Sequence, residues 1–180
     1  MRYLKMDDKA FWENPEAMKQ ITFAGRVQTK GKQVIDESEL PYNSRSSYFI
    51  LGDPNDETAP TATVLQMPPG YTLPHHSHPT DIFMLVLRGT LYVPGAKLGP
   101  GDGLIAKAHE FYGPELAGPE GCTRVEFFAS RSGATNVEYK TPDGERRTHD
   151  YMRDGQSPWR TGMEDIPKLM AEMLRDRLGA

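Results

Sequence analysis

The sequence holds one cysteine, Cys122, in 180 residues. An internal disulfide is excluded, and so is a zinc cluster built on thiolates, because each needs a second sulfur. Long apolar runs are also missing. No stretch approaches the roughly 20 residues that cross a bilayer as a helix, and the start, MRYLKMDDKAFWENPEAM, lacks the unbroken apolar core of a secretory leader. There is no dense Lys/Arg block: 21 basic and 25 acidic residues leave a net charge of −4, which provides no electrostatic footprint for nucleic acid or an anionic membrane. Repeats and low-complexity tracts are absent too. These absences predict a cytoplasmic protein whose partner is a small molecule, with neither nucleic acid nor membrane among its partners.

What is present points to β-structure. The length suffices for one sizeable core, and glycine and proline fall between short stretches rich in Val, Ile, Leu, Phe and Tyr, the spacing of a sandwich or barrel. Strands are predicted near 21–28, 47–51, 61–67, 71–78, 82–88, 90–94, 103–107, 123–129 and 136–140. A turn is predicted at TPDGE (141–145) and a polar loop at LGDPNDETAP (51–60). Residues 132–159 read as a hairpin followed by an extended arm. Helices are expected only at the ends: a short one over Asp7–Gln20, and one carrying Met163, Ile166, Met170, Met173 and Leu174 at helical spacing, opened by a Thr161/Glu164 capping box and stopped at Gly179. The chain divides into an N-terminal helix and leading strand (1–46), a barrel (47–140), and an arm with the C-terminal helix (141–180).

Ile82 to Leu87 is apolar at every position. Both faces of that strand need cover, one from the barrel interior and the other from a terminal helix or a second subunit. A homodimer is therefore expected.

His75, His76 and His78 are three of the five histidines. Side chains alternate along a strand, so His76 and His78 share a face and converge on one ion, while His75 points away. The same spacing also fits a solvated histidine loop. With Gly70 before the pair and Gly89 after it, the stretch resembles the first motif of the cupin superfamily. A weaker counterpart of the second motif runs from Gly99 to Leu116, with Lys107 at the usual proline, His109 at the usual turn glycine and Tyr112 at the usual histidine. The resemblance covers roughly 61–129 and implies an all-β, double-stranded β-helix, a jelly-roll or cupin barrel, with a divalent metal in its mouth.

Under this resemblance His76 and His78 are metal ligands, and His109 is the expected third ligand, with Tyr112 beside the metal to orient substrate or move a proton. The family's glutamate position carries Ile82. Asp81, one residue earlier, either reaches the site through a remodelled loop as a catalytic group or is a turn residue. Glu110, Glu115 and His149 read as surface groups, and Glu126 lies in a strand whose parity is open. A set of imidazoles with few carboxylates suits Fe(II), Zn(II), Ni(II), Cu(II) or Mn(II), with one ion per chain, better than Ca(II) or Mg(II). The expectation is an Fe(II) dioxygenase acting on an enolic, phenolic or diketone substrate. The alternatives are a metal-dependent isomerase, cyclase or lyase, and a non-catalytic ligand-binding cupin.

Overall fold

A computed structural model describes residues 45–53, 55–141 and 143–150, with 5–7, 11–12, 28–29, 32–33 and the single positions 171 and 175. In chain order the strands are β1 (Gln28–Thr29), β2 (Lys32–Gln33), β3 (Arg45–Ile50), β4 (Thr61–Met67), β5 (Thr72–Leu73), β6 (Ile82–Val93), β7 (Ala96–Leu98), β8 (Gly103–Ala106), β9 (Glu115–Phe128), β10 (Asn136–Lys140) and β11 (Arg146–Asp150). One short helix, α1 (Arg131–Thr135), precedes β10. The expected all-β jelly roll is found. Its main sheet runs β3-β4-β9-β6-β7, with β5 paired to β9 and β8 paired to β6, and every described pairing is antiparallel.

Several elements differ from the sequence expectation for local reasons. The strand expected over 71–78 shrinks to β5, because Pro74 supplies no N–H to continue the ladder; His76 and Ser77 instead form single bridges to Tyr112 and Glu138. The strands expected at 82–88 and 90–94 are one element, β6, whose register against β9 shifts near Arg88 and again near Gly89. The strand expected from Thr123 begins at Glu115, since Gly118, Pro119 and Gly121 mimic turn signals inside it. Those residues fall where the pairing jumps from Gly89↔Cys122 to Leu91↔Ala117, a bulge that bends the strand. Within the polar stretch from Ser132, the first residues belong to α1, capped by Ser130, and the hairpin is β10–β11. The expected terminal helices and the strand at 21–28 lie outside the described residues, apart from helical Phe11, Trp12, Ala171 and Arg175 and the β1 residue Gln28.

Alternation along β6 decides what the barrel holds. Ile82, Met84 and Val86 are buried, and their partners across the β6–β9 ladder are Phe128, Glu126 and Arg124. Thr61, Thr63 and Met67 of β4 extend the same inner face. Each fully buried Met or Val contributes roughly 1.5–3 kcal/mol. The opposite face carries Phe83, Leu87, Ile105 and Phe127, all exposed, with the Phe83 and Phe127 rings stacked at 6.1 Å between centroids.

Candidate metal centre

The segment after Pro74 is held on both sides. His76 exchanges two backbone hydrogen bonds with Tyr112, of 3.0 and 2.8 Å, and Ser77 exchanges two with Glu138, of 3.0 and 2.8 Å. The backbone N–H of His109 donates to the His78 carbonyl at 2.8 Å. Between these ties the side chains alternate: His76 and His78 are both buried with ring centroids 5.4 Å apart and planes nearly perpendicular, and Ser77 is turned to Glu138.

Each imidazole is oriented through Nδ1. His76 Nδ1 lies 2.7 Å from the Pro74 carbonyl, while His78 Nδ1 lies 2.8 Å from the Gly133 carbonyl and 2.9 Å from that of Asn136. A carbonyl only accepts, so both rings carry their proton on Nδ1 and leave Nε2 as the electron-pair donor. Burial pushes the pKa of His76 well below its usual value and lowers that of His78. Both rings are thereby kept neutral, the form that ligates metals.

Tyr112 completes the group. Its hydroxyl donates to His76 Nε2 at 2.9 Å, its ring lies 4.4 Å from that of His76 and 6.3 Å from that of His78, and Phe128 packs edge-on against His78 at 4.9 Å. The tyrosine thus occupies the position expected for it if the second motif keeps its register. His109 does not join the pair. Its backbone adopts φ 65° and its half-exposed ring meets Glu138 Oε1 through Nδ1 at 2.8 Å, on the side of the segment to which Ser77 points. Asp81 is also elsewhere: its carboxylate accepts from Lys107 Nζ at 2.8 Å and from the Ala108 N–H at 2.9 Å, so it closes a turn at the surface. Among the described residues no three His, Cys, Asp or Glu side chains converge as a metal cage. Of the expected site residues the structure therefore brings His76, His78 and Tyr112 together, and places His109 against Glu138 and Asp81 in a turn contact.

The donor set nonetheless fits a small divalent ion. His76 and His78 would hold it through Nε2, their Nδ1 atoms being tied to backbone carbonyls, with the Tyr112 hydroxyl beside them.

Arg124, Glu115 and Glu126 form an ion cluster in the barrel. Arg124 Nη1 lies 2.5 Å from Glu115 Oε1 and Nη2 lies 2.7 Å from Glu126 Oε1. Burial opposes the Arg124 charge, but the two carboxylates outweigh it and push its pKa up; burial raises that of Glu126. Glu115 Oε2, Arg124 Nε and Thr63 Oγ1 are buried without a hydrogen-bond partner, which makes the interior polar where β6 alone suggests an apolar wall. Glu115, expected in water, is fully buried, and His149, expected on the surface, is buried as well. Arg124 carried a signal in the sequence: Arg124, Glu126 and Phe128 share a strand parity, and opposite charges two apart on a buried face pair with each other.

The pair of histidines on a bridged segment at the mouth of an antiparallel jelly roll, facing the Tyr112 position of the second motif, decides the fold likeness. The fold is cupin-like. No family model and no curated protein matches it. Among solved structures it is similar to an acetylacetone dioxygenase from Acinetobacter johnsonii, at 12% identity and TM-score 0.48 over 61% of this chain and 72% of that one. It is similar to an RmlC-like cupin protein from Ralstonia eutropha, at 14% identity and TM-score 0.43 over 76% of each chain. It is also similar to a DMSP lyase from Ruegeria pomeroyi, at 22% identity and TM-score 0.43 over 56% of this chain and 54% of that one. No described helix of this cupin-like chain is long and apolar enough to cross a membrane.

Proposed function

We propose that this cupin-like chain is a metal-dependent enzyme acting on a small organic molecule, with His76 and His78 holding one divalent transition ion and Tyr112 beside it. The observation that carries the reading is the pair of buried, neutral imidazoles whose Nδ1 atoms are both tied to backbone carbonyls, the arrangement that fixes a ligating tautomer. Bound there, the ion supplies Lewis acidity and, as Fe(II), access to dioxygen chemistry.

The protein's own groups have separable tasks. His76 and His78 present Nε2 from a segment pinned on both sides. Tyr112 holds a proton at its hydroxyl, within reach of anything seated against His76 Nε2. Ile82, Met84 and Phe128 exclude water from that end of the barrel. This combination suits a partly apolar substrate that chelates through an enolic, phenolic or diketone oxygen pair, and a dioxygenase of Fe(II) is the activity we favour.

The proton on Tyr112 also supports a second reading, a non-redox isomerase, cyclase or lyase in which the tyrosine serves as acid and base. Elemental analysis of the untagged protein, beside a His76→Ala/His78→Ala variant, tests the centre. Near-stoichiometric metal that disappears in the variant is expected, and its presence in neither protein after reconstitution would overturn the reading. Oxygen uptake with a panel of β-diketones and catechols then separates the two activities, since turnover that survives replacement of iron by zinc rules out the dioxygenase.

A further inference from the structure

His109 has an unusual backbone beside the histidine pair. A non-glycine residue at φ 65° is uncommon, and backbone strain of this kind persists where the surroundings over-determine it. What surrounds His109 is Glu138, a residue of β10 that is almost fully buried. The Glu138 carboxylate accepts from Ser77 Oγ at 2.7 Å and from His109 Nδ1 at 2.8 Å, and Arg146 Nη1 of β11 stands 3.9 Å from it. Arg146 also reaches the His109 carbonyl at 3.4 Å. Three separate segments thus meet on one carboxyl group.

The same residue is tied through its backbone, which exchanges both hydrogen bonds with Ser77. Ser77 lies between His76 and His78 in the chain. Two residues before Glu138 is Asn136, and five before it is Gly133; these are the two carbonyls that meet His78 Nδ1. The placement of β10, and of α1 leading into it, against the histidine segment therefore sets the acceptors that meet His78 Nδ1.

We propose that Glu138 is a positioning residue for the two-histidine centre, fastening β10 across the His76–His78 segment so that the Gly133 and Asn136 carbonyls fix His78 with its proton on Nδ1. The inference rests on the metal-centre reading for its function, and it gives His109 a place outside the ligand set, as a donor that holds Glu138. Loss of the carboxylate frees Ser77, His109 and Arg146 together. Burial opposes the charge of Glu138, but the hydrogen bonds from Ser77 and His109 outweigh it and keep its carboxyl below the usual range, consistent with a carboxylate that is ionised in place.

The test compares the full chain with Glu138→Ala, Glu138→Gln and Ser77→Ala variants through two readouts. Long-range proton–nitrogen NMR of the metal-free proteins reports the His78 tautomer, and competition with a chromophoric chelator reports Co(II) affinity. The native chain is expected to show a single Nδ1–H form of His78. Glu138→Ala is expected to show mixed tautomers and a Co(II) affinity lower by about 10–100-fold, the range found when groups behind a metal ligand are lost. Glu138→Gln, which still accepts from Ser77, is expected to recover most of the loss. A Glu138→Ala protein that melts earlier yet keeps the native tautomer and native Co(II) affinity would show a structural role only and overturn the proposal. Should that variant fail to fold, Ser77→Ala carries the same comparison. Absence of Co(II) binding by the native chain would sink the metal-centre reading, while the tautomer comparison would still decide whether Glu138 positions His78.

Discussion

His76 Nε2 and the hydroxyl of Tyr112 stand 2.9 Å apart across the mouth of the barrel, and a single proton is shared between them. Replacing that hydroxyl by hydrogen in Tyr112→Phe removes one donor and leaves both imidazoles in place. Metal affinity should fall by roughly 10–100-fold, while a His76→Ala/His78→Ala protein should lose the ion altogether. Chelator competition on the two variants measures both. Equal loss in the two would mean that the phenol, rather than the histidine pair, dominates binding.

The ion cluster predicts an asymmetric response to mutation. Arg124→Met leaves Glu115 and Glu126 buried beside each other without their shared cation, and breaking a buried pair from one side costs about 3–5 kcal/mol. Replacing all three by apolar residues of similar volume should cost far less. Urea unfolding of the single and triple variants checks the difference.

The two glycines that frame the histidine motif should differ sharply. A Cβ on Gly89 would sit 2.1 Å from the Gly121 carbonyl oxygen, whereas one on Gly70 meets nothing within 4 Å; both residues have positive φ, +74° and +72°. Gly70→Ala therefore carries only backbone strain, about 1–2 kcal/mol. Gly89→Ala adds a backbone collision at the bend of β9 and should lower the melting temperature several degrees further, as calorimetry would show.

The metal-free protein should lose stability in mild acid. His76 and His78 are held below their usual pKa of 6.5 in the folded state by burial. In the unfolded chain they titrate normally. Below about pH 6.5 the unfolded state therefore binds more protons than the folded one, and stability falls as pH drops; above that value both states are neutral and the two residues contribute no slope. Denaturation curves from pH 7.5 to 5 measure it, and the slope should shrink in His76→Ala/His78→Ala if that variant folds.

Asp81→Asn should leave metal affinity unchanged. Its carboxylate faces Lys107 and Ala108 at the surface, so a drop in affinity would show that the loop from Pro79 reaches the site after all.

Much of this was legible from residue order. Ile82, Met84 and Val86 could be assigned to a buried face because strand parity has a period of two and a run of six apolar residues leaves no polar side. His76 and His78 were paired by the same rule, and the single cysteine excluded thiolate chemistry outright. The parity of Glu126 stayed open because a lone charged residue in a strand does not state its own face; its register opposite Met84 and Thr63 places it inside. Glu115 reads as a loop residue in the sequence because its strand is disguised by Gly118, Pro119 and Gly121, residues that ordinarily mark turns and here accommodate a bulge. The cupin resemblance makes His109 the expected third ligand, yet which way its turn faces depends on Glu138, 29 residues further along. Local spacing determined the fold class, the buried face and the histidine pair, since those follow from backbone periodicity. Only the tertiary structure decided that Tyr112 stands across from His76 and that α1 and β10 bring the carbonyls which hold His78, because each of these contacts joins segments whose separation along the chain carries no information about their separation in space.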